Sequence, residues 1–276
     1  MEICKPDDLY IISEPIVLDH KITIDIKDVI DFCFCPLLYK YKKETPNELN
    51  IRELYDHEIR KTVYQFLFDL QNDKEMNSSL EFLKYLWGKY WIRSKTKKDL
   101  LITPSAYKRD TWDNKRQNGI KSIINFDEMI GRDSQFIIAV KHKYEIEIIP
   151  NVVLTGVFEC IREKQNEDGT KIIQLINFVV DSNVYDTVMA QSYNLESIAA
   201  AFAFEQLFDQ VEYQSITMNI LTKKTYFKNF NEKDFNLLKD TVKSVIISLQ
   251  NNINCTAPGQ KCFHCSYRKK CEKNMK

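Results

Sequence analysis

The chain has little glycine and little proline, six and seven among 276 residues. So sparse a supply excludes collagen-like, linker-rich and low-complexity chains. It also lacks net charge, with 39 Lys+Arg against 39 Asp+Glu. A balanced chain has no global attraction for a polyanion, so any nucleic-acid site must be a local basic patch. No apolar stretch is long enough to span a bilayer, and the N-terminus shows no signal-peptide pattern. The expectation is a cytoplasmic protein with no membrane partner. Internal repeats are missing too, which suits a single elaborated domain over residues 1–276.

What is present begins with a 44% hydrophobic content, enough for a full core. Eight cysteines in a chain without a signal point to a reducing compartment, where they are free thiols or metal ligands rather than disulfides. Three of them, Cys262, Cys265 and Cys271, form C-x2-C-x5-C near the end. A Cys-x-x-Cys turn faces two thiolates towards one metal, and a third follows. Zinc and iron–sulfur sites of this kind take four ligands, so a fourth is needed. Cys35, in Cys33-Phe34-Cys35-Pro36, is the candidate, which would tie the two ends of the chain together. His264 would also serve zinc, and the spacing alone does not separate zinc from iron. Cys4, Cys33, Cys160 and Cys255 are expected to be buried small hydrophobes.

Cys35-Pro36-Leu37-Leu38-Tyr39, followed far downstream by Cys262, Cys265, Tyr267, Arg268 and Cys271, resembles the iron–sulfur branch of the RecB-like PD-(D/E)XK nucleases. That branch includes the 4Fe–4S exonuclease associated with CRISPR adaptation and the nuclease domain of AddB. The resemblance implies a structural 4Fe–4S cluster on these four cysteines, with zinc the lesser possibility. It implies an α/β fold: the restriction-endonuclease-like mixed sheet flanked by helices, with a helical lobe at 71–135 and a C-terminal cysteine segment at 255–276.

The chain in order reads as follows. Residues 9–26 look extended, with Ile22, Ile24 and Ile26 alternating with polar neighbours. A helix is expected from about 26 to 42, a long amphipathic one over 47–70, and another over 79–93. Residues 104–126 carry basic and aromatic residues and continue as helix to 130. Strands follow at 136–140, 144–149, 152–161 and 172–180, with a turn at 166–169 between the last two. A helix over 195–208, a strand over 215–221, a turn at 223–225 and a helix over 231–249 complete the reading.

In active relatives a Gly-x-x-Asp on one strand, an Asp-x-Lys on the next and an upstream histidine hold Mg²⁺ or Mn²⁺ and activate water. Such chemistry needs at least two hard oxygen ligands. Here His57 matches the histidine, and Gly156-Val157-Phe158-Glu159 matches the first motif with Glu for Asp. Asn177 and Val179 stand where the second carboxylate and the lysine belong. An amide is a poor ligand for a divalent ion and valine cannot polarise water, so the site reads as degenerate. Asp181 and Lys171 are the nearest substitutes, at distant positions along the strand. The implied function is an inactive nuclease-fold protein that binds nucleic acid or scaffolds a larger DNA-processing assembly in recombination, defence or phage biology. The alternatives are an active metal-dependent single-stranded DNA exonuclease with a rearranged site, and a purely structural viral protein. Lys and Asn richness suits an AT-rich genome, such as that of a phage or its host. Lys95, Lys97, Lys98, Lys108, Arg109, Trp112, Lys115 and Arg116 are the candidate contacts to DNA, single-stranded or at ends, since rings stack on bases while cations hold phosphate. The competing reading is a solvated helix end beside core tryptophans.

Overall fold

The computed structural model describes residues 20–45, 48–72, 79–95, 101–103, 110–130, 136–180, 194–209, 211–256, 262 and 265–274. A short strand β1 (Ile22–Asp25) leads into helix α1 (Ile26–Phe34), capped by the Asp25 carboxylate, which accepts from the Lys27 amide. The single helix expected over 26–42 is two. Pro36 lacks an N–H and disfavours a helical residue before it. Cys35 is accordingly extended, at φ −169° and ψ 119°, and α2 (Pro36–Glu44) starts afresh.

Strand β2 (Glu48–Asn50) precedes helix α3 (Ile51–Asn72), and then come α4 (Leu80–Lys95), β3 (Leu101–Thr103) and α5 (Trp112–Ile130). The pair β2–β3 is parallel and was not anticipated. The main sheet follows: β4 (Phe136–Ile149), β5 (Val152–Gln165), β6 (Lys171–Val179), helix α6 (Leu195–Leu207), β7 (Tyr213–Asn219), β8 (Lys224–Lys228) and helix α7 (Glu232–Gln250). A last short helix, α8 (Arg268–Asn274), closes the chain.

The two strands expected over 136–149 are one, with an irregular register at each end and Lys141 left-handed, at φ 51°. The turn expected over 223–225 lies earlier, so that Lys224 and Thr225 begin β8. Among the described residues the sheet has six strands, in the order β1-β5-β6-β7-β8 with β4 also on β5. Its pairings are mixed: β1–β5 and β6–β7 are parallel, and β4–β5, β5–β6 and β7–β8 are antiparallel.

Helices cover both faces, which makes this an α/β fold. On one face α1, α6 and α7 bury Val29, Ile198, Ala201 and Leu238 against Tyr144, Leu154 and Phe158 of the sheet. On the other, α3, α4 and α5 bury Ile59, Val63, Trp87, Trp91 and Phe126 against Cys160, Ile176, Phe178 and Ile216. Helices α4 and α5 approach so closely at Gly119 that a Cβ there would stand 2.1 Å from the Trp87 ring. No helix among the described residues is long and apolar enough to cross a membrane.

Candidate functional site

The neighbours of β5 position the candidate site. One edge of β5 pairs with β4. The other edge pairs first with β1, through Val152–Thr155, and later with β6, through Cys160–Gln165. Between these two ladders lies Gly156-Val157-Phe158-Glu159, with neither β1 nor β6 beside it. The tetrad singled out from sequence therefore occupies a fork in the sheet. Gly156 is required there, because a Cβ would stand 2.2 Å from the Tyr144 hydroxyl of the facing strand.

Glu159 is buried, at 4% exposure, and its carboxylate closes the fork. Its Oε2 accepts the Phe178 amide of β6 at 2.5 Å. Its Oε1 accepts the Tyr64 hydroxyl at 2.5 Å and an Arg60 guanidinium N–H, both from α3. Arg60 is held from behind by Asp56, one turn earlier, at 3.1 Å. Burial opposes the charge of Arg60, but Asp56 and Glu159 outweigh it, so the guanidinium is held well above its usual pKa. Burial and then the Glu159 charge push the Tyr64 hydroxyl up as well. Glu196, at the start of α6, is raised by burial and then by the like charge of Glu159.

The remaining positions part from Glu159. Asn177 is buried and donates to Ser197 of α6 at 3.0 Å, on the opposite face of the sheet from Tyr64 and Arg60. Val179 is buried one pleat further on. His57 is exposed and lies 3.3 Å from its neighbour Glu58. Burial pushes Glu58 up, but hydrogen bonds from His57 and Ser94 outweigh it, leaving its pKa below the ordinary value. Lys171 pairs with Glu163 at the far end of β6, at 2.7 Å, and Asp181 lies outside the described residues. Lys141 is nearer the fork, with its Nζ 5.2 Å from the Tyr64 ring centroid. Sequence reasoning missed Asp56, Arg60, Tyr64, Lys141 and Glu196. A signal existed for the first three: they recur at four-residue steps, the spacing of one helix face.

The cysteine segment docks on α2 and on the start of α3. Leu37, Leu38, Tyr41 and Tyr267 form a small core with Cys35, Cys265 and Cys271 packed against it. The Tyr267 hydroxyl donates to the Thr45 carbonyl at 2.5 Å, Ser266 Oγ to Glu53 at 3.4 Å, and Lys270 Nζ to Glu44 at 3.2 Å. Burial pushes the Cys265 thiol up to about 11, and Cys35 and Cys262 are among the neighbours that add to it. Burial raises Cys271 too, and the same two thiols contribute. Cys35, Cys265 and Cys271 thus lie against one small core, and thiols are the soft donors that iron or zinc takes. Among the described residues, no group of three or more His, Cys, Asp or Glu stands close enough to hold a metal ion. His264 lies outside the described residues.

The other cysteines divide. Cys160 is buried as expected, whereas Cys33 is exposed, because it lies off the apolar stripe of α1. Cys255 is disulfide-bonded, against the expectation of free thiols or metal ligands. That expectation came from compartment, and composition says nothing of which sulfurs meet. Cys4 lies outside the described residues.

Of the basic and aromatic candidates, Trp112 stacks on Trp91 at 4.2 Å, and Lys95 lies 5.7 Å from the Trp112 centroid. Lys115 is drawn inward to Asp110 at 3.2 Å and lies over the Tyr55 ring, and Arg116 is exposed. Lys97, Lys98, Lys108 and Arg109 lie outside the described residues.

No protein-family model matches the chain, and no curated protein does. Among solved structures, one described as "Crystal structure of SSO0001" is similar at a TM-score of 0.40 and 12% identity, over 92% of this chain and 86% of that one. At that level the likeness carries no argument.

Proposed function

We propose that this chain is a PD-(D/E)XK-fold protein of the iron–sulfur branch whose catalytic centre has been lost, and that it serves as a nucleic-acid-binding or scaffolding subunit of a DNA-processing assembly. The observation that carries the reading is the commitment of Glu159. Both its oxygens are taken, by Arg60 and Tyr64 on one side and by the Phe178 amide on the other. A metal-binding carboxylate needs free lone pairs and a partner anion. Here the neighbouring cation is a guanidinium, the second position is the amide of Asn177, and the lysine position is Val179. Cys35, Cys262, Cys265 and Cys271 would hold the 4Fe–4S cluster, whose contribution is to tie the C-terminal segment to α2. Lys95 and Arg116 would contact phosphate, and such binding weakens steeply with salt.

One observation favours the active alternative: Asp56 and Glu196 lie near enough to Arg60 and Glu159 to shape the local charge. The test is cleavage of single-stranded DNA with Mg²⁺ and with Mn²⁺, for the wild type and for Glu159→Ala. No cleavage by either is expected. Metal-dependent cleavage that vanishes in the variant overturns the inactive reading. Anaerobic purification with quantification of iron and acid-labile sulfide tests the cluster separately.

A further inference from the structure

The outer edge of β4 changes character along its length. At its start, Gln71 of α3 donates to the Ile138 carbonyl at 2.6 Å and closes the edge. Lys141, left-handed at φ 51°, then flips the strand. Before it, Ala139 packs towards the face of α1, α6 and α7, and Val140 towards the other; after it, Tyr144, Ile146 and Ile148 enter the first core. From Lys143 onward, β5 is the only strand paired with β4 among the described residues. Among the described residues this edge leaves N–H and C=O groups open to another strand.

The side chains along this edge say which strand. Lys143, Glu145 and Glu147 are all exposed and share one face, alternating with the buried Tyr144 and Ile146. Suppose a second copy pairs antiparallel about a two-fold axis perpendicular to the sheet. Opposite residues then lie on the same face, so the axis must pass through a residue position. Centred on Lys143 or Glu145, it sets that residue against its own copy, like charge on like, at the middle of the contact. Centred on Tyr144, it sets Lys143 against Glu145 of the second copy twice over, and Lys141 against Glu147. On the other face Tyr144 meets its own copy and the exposed His142 lies opposite Ile146, while the flip at Lys141 ends the register before Val140.

We propose that two copies of this chain associate through the β4 edges in this register, joining their sheets into one. The edge is self-complementary in charge, which is what an isologous contact demands and what an unrelated partner strand would not require.

The test is sedimentation velocity of the full chain over a dilution series, with circular dichroism to show that each variant is folded. Wild type should show a monomer–dimer equilibrium. Lys143→Glu or Glu145→Lys alone sets like charges opposite and should raise the dimer Kd by about tenfold or more. Lys143→Glu combined with Glu145→Lys swaps every pair without changing its sign and should restore the dimer. Because both residues are exposed, the reversals leave the core untouched. A wild type that is monomeric throughout overturns the proposal, as do single variants that remain dimeric or a folded double variant that does not reassociate.

Discussion

Replacing Arg60 by Met is the sharpest test of how the fork is held. Arg60 is 23% exposed at its side chain and Glu159 is 4% exposed, so the pair is largely out of water. Met keeps the length and the apolar packing of the stem while removing the charge and the N–H donors. Glu159 would keep two donors, Tyr64 and the Phe178 amide, but its charge would lose its counter-ion. Removing one partner of a buried pair costs about 3–5 kcal/mol, and the partial exposure of Arg60 argues for the lower end, about 3 kcal/mol. At about 2.1 cal/mol/K per residue, 276 residues unfold with about 0.6 kcal/mol/K, so Tm should fall by about 5 °C. Glu159→Gln should cost less, about 2 kcal/mol, since Arg60 retains Asp56. The double variant should recover much of the loss, giving a coupling of about 2 kcal/mol in a double-mutant cycle. Thermal unfolding followed by circular dichroism measures all three. Additive effects, or an Arg60→Met variant as stable as wild type, would refute the claim that this ion pair closes the fork.

Gly156→Ala forces the Tyr144 ring to move and should destabilise by about 2 kcal/mol, whereas Tyr144→Phe, which removes a buried hydroxyl with no hydrogen-bond partner among the described residues, should be neutral or stabilising by urea denaturation. Cys271→Ser should raise sensitivity to limited proteolysis far more than Glu159→Ala does, because it loosens the docked C-terminal segment; equal cleavage rates for the two would count against the staple. Glu196 holds its proton more tightly folded than unfolded, because burial raises it above its ordinary 4.5. Its contribution to stability therefore falls as pH rises from the ordinary carboxylate range through the raised folded value. Glu196→Gln should be more stable than wild type at neutral pH, with the gap closing in acid; denaturation curves with the same pH slope for both would contradict this.

The helices and the long strands were legible because their apolar periods are strong: Ile59, Val63, Phe66 and Leu67 mark α3, and Phe235, Leu238, Val242 and Val245 mark α7, all buried. What escaped was short or depended on distant chain. Strands β2 and β3 have three residues each and exist only through each other. The break at Cys35 was written in Pro36 but hidden by a stripe that runs on through Leu37 and Tyr41. Lys141 shows no local sign of its left-handed backbone, since neither glycine nor asparagine marks the place. Cys262, Cys265 and Cys271 were picked from spacing and Cys35 from its Cys-Pro context; Cys35, Cys265 and Cys271 pack against one small core, but among the described residues no three such donors stand close enough to hold a metal ion. The pairing of Glu159 with Arg60 was beyond reach, because nothing local tells which charge on a helix faces which strand.

That pairing bears on why the fork keeps a carboxylate at all. A buried glutamate without donors around it would carry a large desolvation cost. An apolar residue at 159 would remove it. Instead three donors from two separate elements, α3 and β6, converge on the one carboxylate. They bridge a place where the sheet has no ladder, between Thr155 and Cys160 on one edge of β5. A backbone amide such as that of Phe178, buried at a strand divergence, needs an acceptor, and Glu159 supplies it. Arg60 then supplies the counter-charge to that carboxylate. Glu159 therefore supplies the hydrogen bonds that the fork lacks, a demand that glutamine meets less well.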